Sequence, residues 1–525
     1  MEIVDNKALV LRTRNPHRYA MIPKSKVLGT DTEGISRVIV HWGLDEARVL
    51  KNMGVRDVPS PILRSYEWPG RFTPFKHQIE TSAFLTMHKR AFVFSEPGTG
   101  KTLSALWAAD YLMRMKIVHR CLVLCPLSIM QSAWMADLNS SIIHRSAVVC
   151  HHSKSERRRA MIGKNYEFVI ANYDGLPLIA DTLQADGRFD LIIADEANAY
   201  KNVSTRRWKT LASLMAPNVH LWMMTGTPAA QSPEDAYGLA RLVSPERVPR
   251  FFTGWRDKVM YKATMFKWLP KGNAYAQVHE ALQPAIRFTK KECLDLPPVL
   301  TETRDVPLTA QQQKYYKMMR DKLVMHAAGE TVTAINAAAE VNKLLQISAG
   351  AAYTDNKEVV EFDCSSRLKV LGEVLDETER KVLIFTLFRH SMDSIEHWLT
   401  KNNISCAQIN GSITPTKRTQ LFRAFQTTDT PRVLIIQPQA AQHGVTLTAA
   451  DTVVMWGPVM SVESYIQCVA RMDRQGQTSD NVTVVHIQGS DIERRMFNRL
   501  SGKVEDHSLL LKIYEEEVAA ARLER

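Results

Sequence analysis

Cysteine is scarce and unpatterned: seven residues (Cys121, Cys125, Cys150, Cys293, Cys364, Cys406, Cys468) lie scattered through 525, and none sits in a C-x-x-C pair with histidines at zinc spacing. A zinc module is excluded on that ground, and buried thiols in a reducing compartment are expected. Long apolar runs are also missing. No window reaches the roughly 18 apolar residues of a membrane span, and MEIVDNKALVLRTR at the start carries no leader-like apolar stretch. No membrane association is expected. The expected location is the cytoplasm (with the nucleoid in a bacterium or phage host), or the nucleus in a eukaryote. Fixed-period repeats and low-complexity tracts are absent as well, which excludes solenoids and disordered tails as the main architecture.

What is present is ordinary globular material, 45% hydrophobic and 23% charged, enough to build packed cores. At about 100–200 residues per domain the length suggests three or four domains. Lysine and arginine (67) outnumber aspartate and glutamate (55) for a net charge of +12, with a pI near 9.2. Such a surface attracts a polyanion but does not by itself require one.

Short apolar runs alternate with helical patterns from about Phe75 to Pro245, giving candidate strands at Ala91–Phe94, Leu122–Leu124, Phe168–Ala171, Leu191–Ala194 and Leu221–Met224. A second series comprises Val382–Phe385, Val433–Ile436, Thr452–Trp456 and Val482–Ile487. This punctuation predicts two α/β lobes built on parallel sheets. The expected domains are 1–70, a separately folded N-terminal piece; 71–245, the first lobe; 246–366, helical insertions and linker, with helices near Gln311–Ala327 and Ala334–Gln346; 367–495, the second lobe; and 496–525, a charged helical tail.

Strand-like AFVF leads into SEPGTGKT (Ser95, Glu96, Pro97, Gly98, Thr99, Gly100, Lys101, Thr102) and then an amphipathic helix. That is the context of a phosphate loop. Gly98 and Gly100 let backbone N–H groups turn inward, the helix N-terminus adds its positive end, Lys101 reaches the β- and γ-phosphates, and the Thr102 hydroxyl suits Mg²⁺. Ser95 departs from the usual Gly or Ala, and a local adjustment is expected. Asp195-Glu196 end a buried-type strand, where open α/β sheets bind ligands: Asp195 to hold Mg²⁺, Glu196 to orient and deprotonate a water. Thr225-Gly226-Thr227-Pro228 follow another strand, with hydroxyls to couple the acidic pair to the rest of the lobe. In QCVARMDRQGQ, Gln467 to Gln477, Arg471 and Arg474 lie three apart on one helical face and would serve as arginine fingers on lobe closure. Arg157-Arg158-Arg159 reads as a solvated helical face, His151-His152 as loop, and the methionines as core filler.

The ordered set of Gln78 in PFKHQ, SEPGTGKT, LVLCPLS with Trp134 after it, ANYD, DEAN, TGTP, LIFT, ING, GVTLTAAD and RMDRQGQ resembles superfamily-two helicases. The Lys201-Asn202 spacing, FTKKECLDLPP, VPLTAQQQKYYKMM and the ending R-x-G-Q resemble the Swi/Snf branch of DNA translocases, in its compact phage, bacterial or annealing-helicase form. The resemblance implies two RecA-like lobes with helical insertions and ATP as cofactor with Mg²⁺. It also implies that Gln78 contacts adenine beside Phe72 or Phe75, and that Gln467 belongs to the nucleotide site. Pro126, Ser128 and Asn172 in the first lobe, and Thr386, Asn410, Gly411, Gly444 and Thr446 in the second, would lie along one strand's phosphates, gripping without reading bases. The partner implied is duplex or branched DNA, with RNA as alternative, and the chain is expected to act as a monomer. Departures are Asn198 for the family's histidine, Gln231 after TGTP, Gln442-His443 for glycines, and a long spacing from Trp456 to Gln467. Two rival readings stand beside the translocase: a strand-separating DNA or RNA helicase, and an ATP-gated DNA clamp without turnover.

Overall fold

The computed structural model describes residues 1–502 apart from 227, 230–231, 264–267, 294, 330–333, 354–358, 441–444 and 475. Two compact units result, one from Met1–Ala229 with Pro233–Cys293, the other built mainly from the chain after 294.

The first unit opens with β1 (Glu2–Val4), β2 (Ala8–Thr13), β3 (Ser25–Thr30) and β4 (Ser36–His41), an antiparallel sheet of order β1-β2-β4-β3. Alternation in β4 sends Val38 and Val40 to a small core with Leu9, Leu11 and Trp42, as the two-residue period of a strand demands. The following helix, Leu44–Asn52, turns Leu44 and Ala47 into the core of the main lobe, joined by Ile62 and Tyr66. The first 70 residues thus have their own sheet yet share a core with the first lobe, because the helix that closes the small sheet is apolar on two sides.

The lobe itself is a parallel sheet of β5 (Arg90–Val93), β6 (Arg120–Cys125), β7 (Ala147–Val149), β8 (Phe168–Asn172), β9 (Phe189–Ala194) and β10 (His220–Met224). A hairpin, β11 (Met260–Lys262) with β12 (Trp268–Pro270), precedes β13 (Ala285–Ile286), which completes the sheet in the order β13-β5-β10-β9-β6-β8-β7. Cores lie on both faces. β13 corrects the expected boundary at 246: the chain to Cys293 stays with the first unit, held at Phe92 and Phe94 by the carbonyls of Pro284 and Ile286.

In the second unit, β14 (Val299–Asp305) precedes helices Ala310–Gly329 and Ala334–Ala349 and the hairpin β15 (Ala351–Tyr353) with β16 (Val359–Glu361). Then come β17 (Lys381–Phe385), β18 (Cys406–Ile409), β19 (Val433–Ile436), β20 (Ala450–Met455) and β21 (Val482–Gln488), giving the parallel order β14-β21-β20-β17-β19-β18. β14 lies inside the expected 246–366 linker; as an exposed edge strand of mixed polarity, VLTETRD, it carries little apolar signal. Of the expected tail, helix Asp491–Ser501 is described, and 503–525 lie outside the described residues.

Both units are therefore α/β lobes on parallel sheets, as the strand pattern predicts. No helix among the described residues is long and apolar enough to cross a membrane.

Candidate nucleotide and nucleic-acid sites

In the first unit the candidate residues gather where β5, β6, β8, β9 and β10 end. The loop after β5 turns on Gly98 (φ +92°) and Gly100 (φ +77°), a left-handed backbone that side chains resist, and runs into helix Lys101–Arg114. The Lys101 ammonium donates to the carbonyls of Ser95 (2.7 Å) and Glu96 (3.1 Å), so it lies back across its own loop, and Thr102 follows on the first helical turn. The Thr99 hydroxyl donates to Glu96 O. Gln78 is buried against Gly100: a methyl group at that glycine would fall 2.0 Å from the Gln78 amide nitrogen. Its Oε1 accepts from Phe75 N–H at 3.0 Å, which caps helix Lys76–Thr86 and fixes the amide. Phe75 stacks on His77 at 5.7 Å, and His77 donates to Thr99 O at 2.8 Å. Phe72 and Phe75 are both exposed aromatic surfaces.

Ser95 shows what its departure from Gly or Ala does. Its hydroxyl accepts from Phe288 N–H (3.1 Å), Glu96 N–H donates to Phe288 O, and the Glu96 carboxylate accepts from Lys290 N–H (3.0 Å). The phosphate loop is thereby laced to FTKKE, the stretch that leads out of the first unit.

Asp195 follows β9 and is buried. One carboxylate oxygen accepts from Trp134 Nε1–H at 3.0 Å, the other from Glu196 N–H at 3.0 Å. Burial pushes its carboxyl above the usual range, against the opposing pull of the nearby Lys101 charge and the indole N–H. Glu196 is held at φ +47°, in the left-handed region that non-glycine residues rarely adopt. The Tyr173 hydroxyl donates to the carbonyls of both Asp195 and Glu196 and steadies that turn. Thr225 is buried and bonded by its N–H to Val93 O. Gly226 packs on the loop so closely that a methyl group there would meet Pro97 Cδ at 2.9 Å. Thr227 and Gln231 lie outside the described residues, and Asn198 sits in the tight turn Ala197–Tyr200.

These donors fit magnesium. Among the described residues no three His, Cys, Asp or Glu side chains gather to chelate an ion alone. Thr102 and Asp195 offer two oxygens, which suffices for an ion that keeps waters and takes the rest of its octahedron from substrate phosphates.

Pro126 and Ser128 begin the segment after β6, and the Ser128 hydroxyl is buried with no hydrogen-bond partner among the described residues. Asn172 ends β8, its amide oxygen accepting from Arg158 at 3.4 Å. Arg158 corrects the reading of the arginine run as solvated: it is buried, bonded to His152 O at 2.6 Å, because its helix turns this one position toward the sheet edge.

In the second unit Thr386 follows β17, buried and tied by its N–H to Ile436 O. Asn410 and Gly411 follow β18; Asn410 accepts from the N–H and hydroxyl of Ser412 (3.0 and 2.6 Å). Arg389 donates to Ser412 Oγ (2.9 Å) and Arg418 to Asn410 O (3.4 Å). Both cations escaped the sequence reading, and their signal is position, in the first turn of the helix that follows β17 or β18. Arg471 and Arg474 lie past the end of helix Val462–Val469 rather than on a helical face, since the chain leaves the helix at Ala470. Arg471 is buried and donates to Gln467 O (2.8 Å) and Val445 O (3.2 Å); Arg474 donates to Ala470 O (2.7 Å) and Thr446 Oγ1 (3.4 Å). The arginine turn thus braces the Val445–Leu447 loop, and buried Gln467 bonds Glu463 within the same helix. Gly444 and Gln442-His443 lie outside the described residues.

A model of the SNF2-related domain matches residues 77–352, just over half of the chain, and one of the helicase conserved C-terminal domain matches residues 366–476. The chain belongs to the SNF2-related family. As such a chain with a helicase C-terminal domain, it is a DNA-dependent ATPase of the Swi/Snf type. This SNF2-related chain is 26% identical over 464 residues to protein p41 of Acyrthosiphon pisum secondary endosymbiont phage 1, covering 84% of this chain and 98% of that one. Over 420 residues it is 27% identical to the SWI/SNF-related matrix-associated actin-dependent regulator of chromatin subfamily A-like protein 1 homolog of Caenorhabditis elegans, covering 79% and 58%. Over 470 residues it is 22% identical to the ISWI chromatin-remodeling complex ATPase ISW1 of Saccharomyces cerevisiae, covering 84% and 41%. It therefore spans nearly all of the phage protein but only part of the two eukaryotic ones. A solved Sulfolobus solfataricus SWI2/SNF2 ATPase core in complex with dsDNA aligns over 87% of this chain and 97% of that one at 21% identity and a TM-score of 0.40; the fold assignment rests on the two sheets themselves.

Proposed function

We propose that this chain couples Mg²⁺-dependent ATP hydrolysis to tracking along duplex or branched DNA, and that it reanneals or regresses DNA rather than prising strands apart. The backbone of Gly98 to Gly100 and the Lys101 ammonium hold the phosphates. Thr102 and Asp195 hold the metal, which when bound offsets charge on the transferring phosphoryl group. Glu196 orients and deprotonates the attacking water. Arg471 and Arg474 supply cationic charge from the second lobe, so that closing on ATP and opening on ADP become steps of movement. Thr225 and Gly226 pass the state of the loop onward. The chain acts as a monomer, in the cytoplasm or, in a eukaryote, the nucleus.

One observation carries this reading: a lysine-bearing phosphate loop and a buried carboxylate that feels the lysine's charge share one sheet edge. The neutral hydroxyls and amides at the other strand ends suit a grip on phosphates without base reading, and the net charge of +12 favours a polyanionic track. The names of the worm and yeast relatives, a chromatin regulator and a chromatin-remodelling ATPase, favour DNA as that track.

The test is ATPase turnover with single-stranded DNA, duplex DNA, branched DNA and RNA in turn, beside triplex displacement and forked-duplex unwinding. Stimulation by duplex or branched DNA with triplex displacement is expected. Unwinding without triplex displacement would instead assign a strand-separating helicase, and no turnover with any nucleic acid an ATP-gated clamp.

A further inference from the structure

Two segments of the first unit that end in candidate DNA contacts also reach back into the acidic pair. The first follows β6. After Pro126 and Ser128 the chain enters a wide, π-type turn, Met130–Met135, a geometry frequent at functional sites. Gln131 and Ser132 stay exposed, whereas Trp134 is buried and its indole N–H meets Asp195 Oδ2 at 3.0 Å. The second follows β8: beside Asn172, the Tyr173 hydroxyl holds the carbonyls of Asp195 and Glu196. Every part of this arrangement lies within one unit and is fixed by named bonds.

A buried Trp fills volume, and filling alone would explain its burial. It does not explain the bond to the carboxylate. With Glu196 N–H on Oδ1 and the indole on Oδ2, both oxygens of Asp195 are oriented by fixed donors, the way outer partners set a metal ligand's geometry. Only the indole donor belongs to a segment whose opposite side is exposed near the candidate DNA contacts. A shift of Pro126–Ser132 when phosphates engage this segment would move the donor on Asp195 directly, since Trp134 lies within the same π-type turn as the exposed Gln131 and Ser132.

We infer that Trp134 is a positioning residue that transmits DNA engagement at Pro126–Ser132 to the metal-binding carboxylate Asp195, with Tyr173 holding the neighbouring backbone as a second tether. The inference rests on the reading that Asp195 holds the metal of an ATPase stimulated by DNA. It requires that metal affinity in the nucleotide complex depend on the indole N–H, and that DNA change that affinity through it.

The experiment uses the full chain and reads metal rather than turnover. Mn²⁺ binding to the ADP complex is titrated by electron paramagnetic resonance, with and without duplex DNA, in wild type, Trp134→Phe and Trp134→His. A fluorescent ADP analogue bound in EDTA reports the phosphate loop alone and verifies the fold of each variant. Trp134→Phe, which keeps a ring but loses the donor, is expected to weaken Mn²⁺ by about 10- to 100-fold, to leave ADP binding in EDTA unchanged, and to abolish the effect of DNA on Mn²⁺. Trp134→His, which retains a ring N–H, is expected to recover part of the loss. Unchanged Mn²⁺ affinity with a retained DNA effect in Trp134→Phe overturns the proposal. So does a histidine variant no better than phenylalanine. Should Trp134→Phe not fold, the wild-type indole ¹⁵N–¹H resonance decides: it shifts with Mg²⁺·ADP and again with DNA, or the proposal fails. A wild-type chain that binds no Mn²⁺ with ADP, or is not stimulated by DNA, would sink the underlying function instead, which separates the two failures.

Discussion

The two parallel sheets end in opposite chemistry. At the strand ends of the first unit stand a lysine loop and a buried aspartate with its half-buried glutamate neighbour, held by an indole, a phenol and a backbone N–H. At those of the second stand hydroxyls, amides and arginines whose guanidinium groups lean on carbonyls and on a threonine hydroxyl. One architecture thus serves two tasks, and the difference lies in the loops after the strands rather than in the sheets. The acidic site must be built into the core, because a carboxylate that is to hold a metal needs fixed geometry. The cationic site is braced to the loop Val445–Leu447, so that its guanidinium groups and that loop, the proposed DNA contact, move together.

The comparison breaks most visibly at the arginines. Arg471→Ala is expected to lower DNA-stimulated kcat by about 10³- to 10⁵-fold, with nucleotide binding to the first lobe intact; single-turnover hydrolysis beside equilibrium ADP binding measures both, and a loss of ADP binding of equal size would count against the division. Glu196→Gln is expected to cost about 10²- to 10⁴-fold in turnover while ATP and DNA still bind, as filter binding with labelled ATP would show.

Acid should separate the lobes more gently. Burial lowers His88 and His220 in the first unit, and His486 in the second, to about 4. Since the folded values lie below that of a free imidazole, the unfolded chain binds more protons between pH 6.5 and 4, and stability falls as pH drops through that window. Each histidine is expected to cost about 2 kcal/mol by pH 5, so calorimetry from pH 7 to 5 should show the first unit losing more, and His220→Phe should shrink the gap. The smallest effect is at the grip. Arg389→Ala, removing the cation on Ser412, should weaken duplex DNA binding uniformly across sequences and lower the salt slope by about one; a sequence-dependent loss would argue for base reading.

In both sheets the apolar runs in the chain mark the inner strands and miss the edges. β5, β10, β9, β6 and β8 in one sheet, and β21, β20, β17 and β19 in the other, are nearly all buried and read as short apolar runs. The four edge strands are short or half-exposed (β13, β7, β18) or exposed (β14) and acquire strand character only by pairing. The candidate site divides in the same way. The loop of Gly98, Gly100 and Lys101 and the Asp195-Glu196 pair are legible because their chemistry is local in sequence. Trp134 stands 61 residues from its carboxylate and Ser95 193 residues from its partner amide, and neither bond has a local signature.

The sequence by itself determined which inner strands are buried, which loop has the phosphate-binding pattern, and which residues carry the proposed reactive groups, since hydrophobic periodicity and motif spacing act over a few residues. Only the tertiary structure decided what holds those groups: the indole on Asp195, the FTKKE stretch on the phosphate loop, the burial of Arg158, and the turn that carries Arg471. Hydrogen bonds between distant segments form only once the sheets have brought strand ends together, and no pattern of adjacent residues encodes them.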